Sequence, residues 1–223
     1  MKNKKSFFLA LGLIVVPILI YWVLSLGTHT FRGLPYYGEK YVPKGSTDTV
    51  YYTVPDVKLV SQFGEPVSQA SIGKRIYVAN FFFARCKDVC PKMNAKMETI
   101  YAKCNELAKT KPEYGNILFL SHSVDPENDS VAVLAMYAER FGVSNKNWLF
   151  LTGDKESIFK AGRGYLLPVS IEDKTIDHSQ QLLLIDKDKH IRGIYDGLED
   201  LDIRRMREDI DVLLNETTKS EHN

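Results

Sequence analysis

Apolar residues along this chain fall into two patterns, short continuous runs and stripes spaced three or four residues apart, and the two alternate from about Tyr51 onward. The runs read as buried strands and the stripes as amphipathic helices, and their alternation is what βα units around a sheet produce. Residues 76–83 are near-continuously apolar and rich in β-favouring types, which predicts a strand covered on both faces. Beyond Pro91, the residues Met93, Met97, Ile100, Cys104 and Leu107 form one stripe, so a helix is expected with Pro91 in its first turn. Residues 116–124 predict a second strand, and Asp129 is placed to cap a helix carrying Val131, Leu134, Ala138 and Phe141 on one face. A third strand is expected at 148–151. Residues 180–185 and 191–195, separated by 186–190, read as a hairpin, followed by a terminal helix from about Glu199 to Leu214 and a polar end expected to fray. No internal repeat is visible.

One apolar run is too long for a strand. Residues 7–26 carry no charge across 20 positions, broken only by Gly12, Pro17 and Ser25. At about 1.5 Å per residue such a helix spans roughly 30 Å of hydrocarbon. Lys2, Lys4 and Lys5 precede the run and the next cation is Arg32, so the positive-inside rule puts the N-terminus in the cytoplasm and the rest of the chain outside. A cleaved signal peptide is the alternative, but its apolar part is shorter and ends in small residues, whereas this run ends Leu24, Ser25, Leu26, Gly27. No cysteine follows to accept a lipid. The expected layout is a basic N-terminus and transmembrane anchor (1–26), a juxtamembrane spacer (27–50) without sustained period, a folded domain (51–215) and a polar tail (216–223). A membrane run starting at Phe7 leaves no room for a mitochondrial transit peptide, so a bacterial inner membrane with the domain on its periplasmic side is expected.

Length and composition narrow the reading further. The 223 residues fit one domain plus an appendage, and 44% apolar with 26% charged residues excludes collagenous, coiled-coil and wholly disordered chains. The formal charge is +1, and −2 for residues 27–223, so nucleic acid is not an expected partner and the domain has no strong attraction to anionic lipid. Three cysteines are too few for a disulfide scaffold, which points to chemistry rather than framework.

Cys86 and Cys90 lie four apart at the expected strand-to-helix junction, where helical spacing brings their Cα atoms to about 6 Å. A thiol at a helix N-terminus feels the positive end of the dipole, which favours the thiolate that attacks disulfides and binds metals. A redox pair, a metal pair and a static disulfide all remain open. Cys104 falls on the apolar stripe roughly 21 Å along the helix from Cys90, so it is expected in the core, as are Met93 and Met97. Of five histidines, His29, His190 and His222 are expected in solvent and His122 inside a strand. His178 stands in Asp177-His178-Ser179 just before an apolar strand, at a strand mouth where sites gather. Two cysteines and this histidine would make a Cys2His site suited to copper, although zinc accepts the same ligands.

Three ordered segments resemble the SCO/SenC family of copper-handling proteins, named for synthesis of cytochrome c oxidase. Residues 81–91, with Cys86-Lys87-Asp88-Val89-Cys90-Pro91, look like its Cys-x-x-x-Cys-Pro motif. Residues 123–130, Ser-Val-Asp-Pro-Glu-Asn-Asp-Ser, are similar to its Ser-Val-Asp-Pro-Glu-Arg-Asp-Thr stretch, and Asp177-His178-Ser179 before Leu182–Ile185 matches its histidine loop. The resemblance implies an α/β, thioredoxin-like fold with a central mixed sheet flanked by helices. It implies copper on Cys86, Cys90 and His178, delivery to the copper-bearing subunit of cytochrome c oxidase, and a supporting role for Asp125. Other copper chaperones or thiol reductants are further partners consistent with it. Departures are Ala84 for Thr, Lys87 for Pro and Asn128 for Arg, none of which removes a ligand. The competing class is a membrane-anchored thiol-disulfide oxidoreductase working through Cys86 and Cys90. Against it stand the Cys-x-x-x-Cys spacing, one longer than in thioredoxins, and the absence of a proline at 177–179. A peroxidase is disfavoured because no Thr-x-x-Cys precedes either thiol.

Overall fold

In the computed structural model of the chain, the described residues are 13–20, 22, 33–143, 146–170, 175–176 and 180–221. The chain divides into two units, Met1–Arg32 and Gly33–Asn223. In the first, residues 13–20 and 22 are helical and exposed. The rest of the 7–26 run lies outside the described residues, and among those described no helix is long and apolar enough to cross a membrane.

The second unit contains, in order, β1 (Lys40–Tyr41), β2 (Val50–Tyr51), β3 (Leu59–Ser61), β4 (Pro66–Val67), α1 (Gln69–Ile72), β5 (Tyr77–Phe82), α2 (Val89–Leu107), a 3-10 turn (Pro112–Asn116) and β6 (Leu118–Ser123). Then follow α3 (Val131–Glu139), β7 (Trp148–Thr152), α4 (Lys155–Gly164), β8 (Val169–Ser170), β9 (Thr175–Ile176), β10 (Gln181–Ile185), β11 (Ile191–Asp196) and α5 (Asp200–Glu221). Seven strands form one sheet in the order β11-β10-β5-β6-β7-β3-β4. The pairs β5–β6 and β6–β7 are parallel and the others antiparallel, so the sheet is mixed.

The central strand β5 is buried at every position because helices or loops cover both sheet faces. Val78 and Phe82 point into the core formed with the α2 stripe Met93, Met97 and Ile100, while Tyr77, Ala79 and Phe81 join Leu120, Leu151 and Ile158 on the opposite side. Alternation along a strand dictates this split. Met93, Met97 and Ile100 are all at most 1% exposed, so the expected stripe is a core stripe.

Four sequence expectations shift. Ser130, not Asp129, caps α3: its hydroxyl accepts from the Val133 N–H, and Asp129 turns inward. The terminal helix runs past Leu214 to Glu221, and Glu216 on it pairs with the buried Arg192. That same arginine holds the described part of the expected spacer. Its guanidinium donates to the carbonyls of Leu34 (2.8 Å) and Pro35 (3.1 Å), pairs with Asp186 and Glu216, and lies 4.1 Å over the Tyr36 ring. Residues 33–51 therefore pack on the hairpin as part of the second unit, with β1 and β2 as a small ribbon. His190 is half-buried rather than solvated, with Nδ1 2.8 Å from the Tyr52 carbonyl and its ring edge-on to Tyr36 and Tyr51.

Candidate metal and thiol centre

The parallel strand β5 ends at Phe82, and the chain turns at once, with the Cys86 N–H donating to the Phe83 carbonyl (3.1 Å). Helix α2 starts three residues later. Its first turn exposes backbone N–H groups that have no partner within the helix. Asp88 occupies the N-cap position but makes no capping bond, and it pairs instead with Lys92. The sulfur of Cys86 takes the capping place, accepting the Cys90 N–H at 3.4 Å. A sulfur bonded this way is favoured as an anion.

The two thiols accordingly differ. Burial pushes Cys86 up, but the N–H groups of Asp88, Cys90 and Val89 and the Cys90 thiol outweigh it, and Cys86 ionises more readily than an ordinary cysteine. Cys90 is 6% exposed, and desolvation, with the nearby Cys86 sulfur, pushes it up to about 12. Both are free thiols here. Cys104 is a third free thiol, 6% exposed in the α2–α5 core and pushed to about 12, first by burial and then by Asp211. It lies with the core residues, as its place on the stripe predicts.

A cavity of about 370 Å³ opens beside the pair, lined by Phe83, Cys86, Val89, Cys90 and Val124, with Arg85 and Lys87 at its edge. Its floor and rim are tied to the β6–α3 loop. Arg85 pairs with Asp125 at 2.7 Å, and Asp125 also accepts from Asn128 Nδ2 at 2.8 Å. Asp129 is 1% exposed; one of its oxygens, Oδ2, accepts the Ala84 N–H (3.1 Å) and the Ser123 hydroxyl (2.5 Å). Burial raises its carboxyl, and these two hydrogen bonds pull it partly back.

Beneath Cys90 runs a buried polar chain that sequence reading missed. Asn80 Nδ2 on β5 donates to Asn94 Oδ1 (2.7 Å), and Asn94 Nδ2 donates to the Tyr137 hydroxyl (3.1 Å). Asn94 stands one helical turn after Cys90, and Tyr137 is stacked on Phe82. The available signal was an asparagine in each of two apolar segments, Asn80 inside the β5 run and Asn94 beside Met93. His122 is a strand histidine as expected, fully enclosed, with Nδ1–H donating to the Asn80 carbonyl at 3.2 Å.

His178 lies outside the described residues, as do His29 and His222. The described chain resumes at Gln180, whose carbonyl accepts from the Gly197 N–H (2.7 Å). A Cβ on Gly197 would come within 2.7 Å of Met93 Cγ and 2.8 Å of the Gln180 oxygen, so only glycine lets this end of the hairpin seat against the first turns of α2. Gln180, two residues from His178, is thereby held on the side of the sheet that carries Cys90. Among the described residues no group of three or more His, Cys, Asp or Glu could hold a metal, and Cys86 and Cys90 supply two sulfur donors.

A mixed sheet with a thiol pair between its central strand and the following helix defines a thioredoxin-like domain with a Cys-x-x-x-Cys site. The sequence profile of the SCO1/SenC family matches residues 46–215, and the chain belongs to that family. The SCO1 protein homolog of Bacillus subtilis (strain 168) is 31% identical over 157 residues, covering 68% of this chain and 78% of that one. Among solved structures, BsSco, described as a member of the Sco family of cytochrome c oxidase assembly proteins with a disulfide switch, superposes with a TM-score of 0.61. It is 26% identical, over 73% of this chain and 94% of its own. Arabidopsis thaliana ScoI with copper bound shares the fold at TM-score 0.58 and 24% identity, over 71% of this chain and 98% of that one.

Proposed function

We propose that this protein is a membrane-tethered metallochaperone that binds copper through Cys86, Cys90 and His178 and delivers it to the binuclear copper site of cytochrome c oxidase. The observation that carries the reading is the Cys86/Cys90 pair at the N-terminus of α2 in a chain of the SCO1/SenC family. The description of one relative as copper-bound and of another as an oxidase assembly protein supports it. Thiolate donors select soft cations, and a third, imidazole ligand is compatible with copper. The close approach of Gly197 to Met93 of α2, with Gln180 hydrogen-bonded to Gly197, supports His178 as that third ligand. Copper here is cargo. Metal binding must expel the Cys90 proton, so loading and proton release are linked.

The uncharged run 7–26 behind Lys2, Lys4 and Lys5 supports a single-pass anchor in a bacterial inner membrane, with the domain outside the cytoplasm. Residues 27–50 then connect the anchor to the domain of residues 51–215, the part from Gly33 onward lying against that domain.

A second reading, thiol reduction of the oxidase cysteines by the same pair, is favoured by the contrast between the ionisable, half-exposed Cys86 and the buried, protonated Cys90. Attack by one thiol and resolution by a second need that division. The test is transfer: the full chain in detergent, reduced and copper-loaded, is mixed with the metal-free copper-bearing subunit of the oxidase, and metal is measured in each after separation. Copper moving to the subunit is expected. Copper retained by the chain while subunit disulfides become thiols would make the second reading the correct one.

A further inference from the structure

The cysteine turn is a short stretch between β5 and α2, yet its backbone is tied across 45 residues of sequence to a buried carboxylate. Asp129 uses a single oxygen, Oδ2, for both of its bonds, one to the Ala84 N–H and one to the Ser123 hydroxyl. Ala84 stands two residues before Cys86, and Ser123 ends β6, the strand paired in parallel with β5 at Phe82. One oxygen therefore joins the cysteine turn, the end of the neighbouring strand and the start of α3. Its outer counterpart, the Arg85–Asp125 pair, is on the surface, with the Arg85 side chain 67% exposed. Exposed pairs of this kind hold little, whereas a carboxylate that accepts bonds inside the protein fixes geometry strongly.

We propose that Asp129 is a positioning residue for the thiol pair: by accepting from Ala84 and Ser123 it sets the turn at the depth where Cys86 Sγ meets the first amides of α2 and lies within reach of Cys90. The proposal rests on the reading that Cys86 and Cys90 are the working groups, and it does not depend on copper. An asparagine can present one carbonyl oxygen at the same place, and an alanine cannot.

The test is the equilibrium between the full chain and a glutathione buffer. Two protein thiols and one glutathione disulfide give one Cys86–Cys90 disulfide and two glutathione thiols, with two electrons and two protons passing to glutathione. Asp129→Ala is expected to lower the oxidation constant about tenfold, equivalent to about 30 mV for this two-electron couple, while Asp129→Asn stays within about threefold of the parent. A merely structural role would lower the melting temperature of the alanine variant and leave its oxidation constant in place, which would overturn the proposal. Equal losses in Ala and Asn would overturn it too. If Asp129→Ala does not fold, Ser123→Ala removes one of the two donors, and an unchanged constant there sinks the idea. Should the parent bind no copper while the constant responds as stated, the copper reading fails and the positioning role stands; copper binding with an unresponsive constant gives the reverse.

Discussion

Acidification from pH 7 to 5 is expected to cost the folded protein about 2 kcal/mol through His122 alone. The ring sits mid-β6, 3% exposed, stacked on Phe81 at 4.7 Å and close to Tyr165 at 5.1 Å, with Nδ1–H committed to the Asn80 carbonyl. Burial pushes its pKa down to about 4, first through desolvation, against smaller opposing contributions from the Asn80 and Leu120 backbones. An unfolded histidine titrates near about 6.5, so between those two values the unfolded chain binds a proton that the folded chain refuses. Stability from this group is therefore present above the unfolded pKa and is lost as pH falls. Linkage gives about 1.4 kcal/mol per pH unit at the steepest, and integration from pH 7 to 5 gives about 2 kcal/mol. The assay is urea unfolding at pH 7, 6 and 5 for the parent and for His122→Gln, which carries no titratable ring. Contributions shared by both proteins cancel in the difference. Asp129, whose raised carboxyl adds stability as pH falls, is one of these. The parent should lose more than the variant by the stated amount, and parallel losses in the two proteins would refute the reasoning.

Arg192→Ala should destabilise the protein by about 3–5 kcal/mol, because it removes a buried cation from Asp186 and Glu216 together with the donors to Leu34 and Pro35. Denaturant unfolding checks this, and a loss under about 1 kcal/mol would show that the cluster behaves as an exposed ion pair. Phe82→Ala, which empties a 1% exposed site between β5 and Tyr137, should cost about 3–5 kcal/mol in the same assay. Cys104→Ser should cost about 1–3 kcal/mol by placing a hydroxyl in the apolar α2–α5 core, yet leave copper stoichiometry unchanged. Metal analysis showing one equivalent lost from the folded variant would overturn its assignment to the core.

Elements whose signal is local were legible. The β5 run, the α2 stripe and the closing hairpin appear nearly where periodicity puts them, because each buries its apolar positions within its own span. What escaped depends on partners far away in sequence. Asp129 has the composition of a helix cap, and only the fold shows that its oxygen reaches Ala84 while Ser130 does the capping. Residues 33–51 have no period to read: Leu34 and Pro35 are held through carbonyls that accept from Arg192, and Tyr37 through its N–H donating to the Ile191 carbonyl. The pairing of Glu216 on α5 with Arg192 and the tethering of His190 to the Tyr52 carbonyl share that origin. At the centre itself, spacing identified the two thiols. It did not distinguish them, because the difference comes from which sulfur receives the α2 amides and which is enclosed.

The measurement that bears most directly on the account is copper analysis of the full chain, purified reduced in detergent and loaded with copper, beside Cys86→Ser and His178→Ala. About one copper per chain is expected in the parent, lost in the cysteine variant and more weakly held in the histidine variant. A folded, reduced parent that takes up no copper, or copper bound equally by all three proteins, would contradict it.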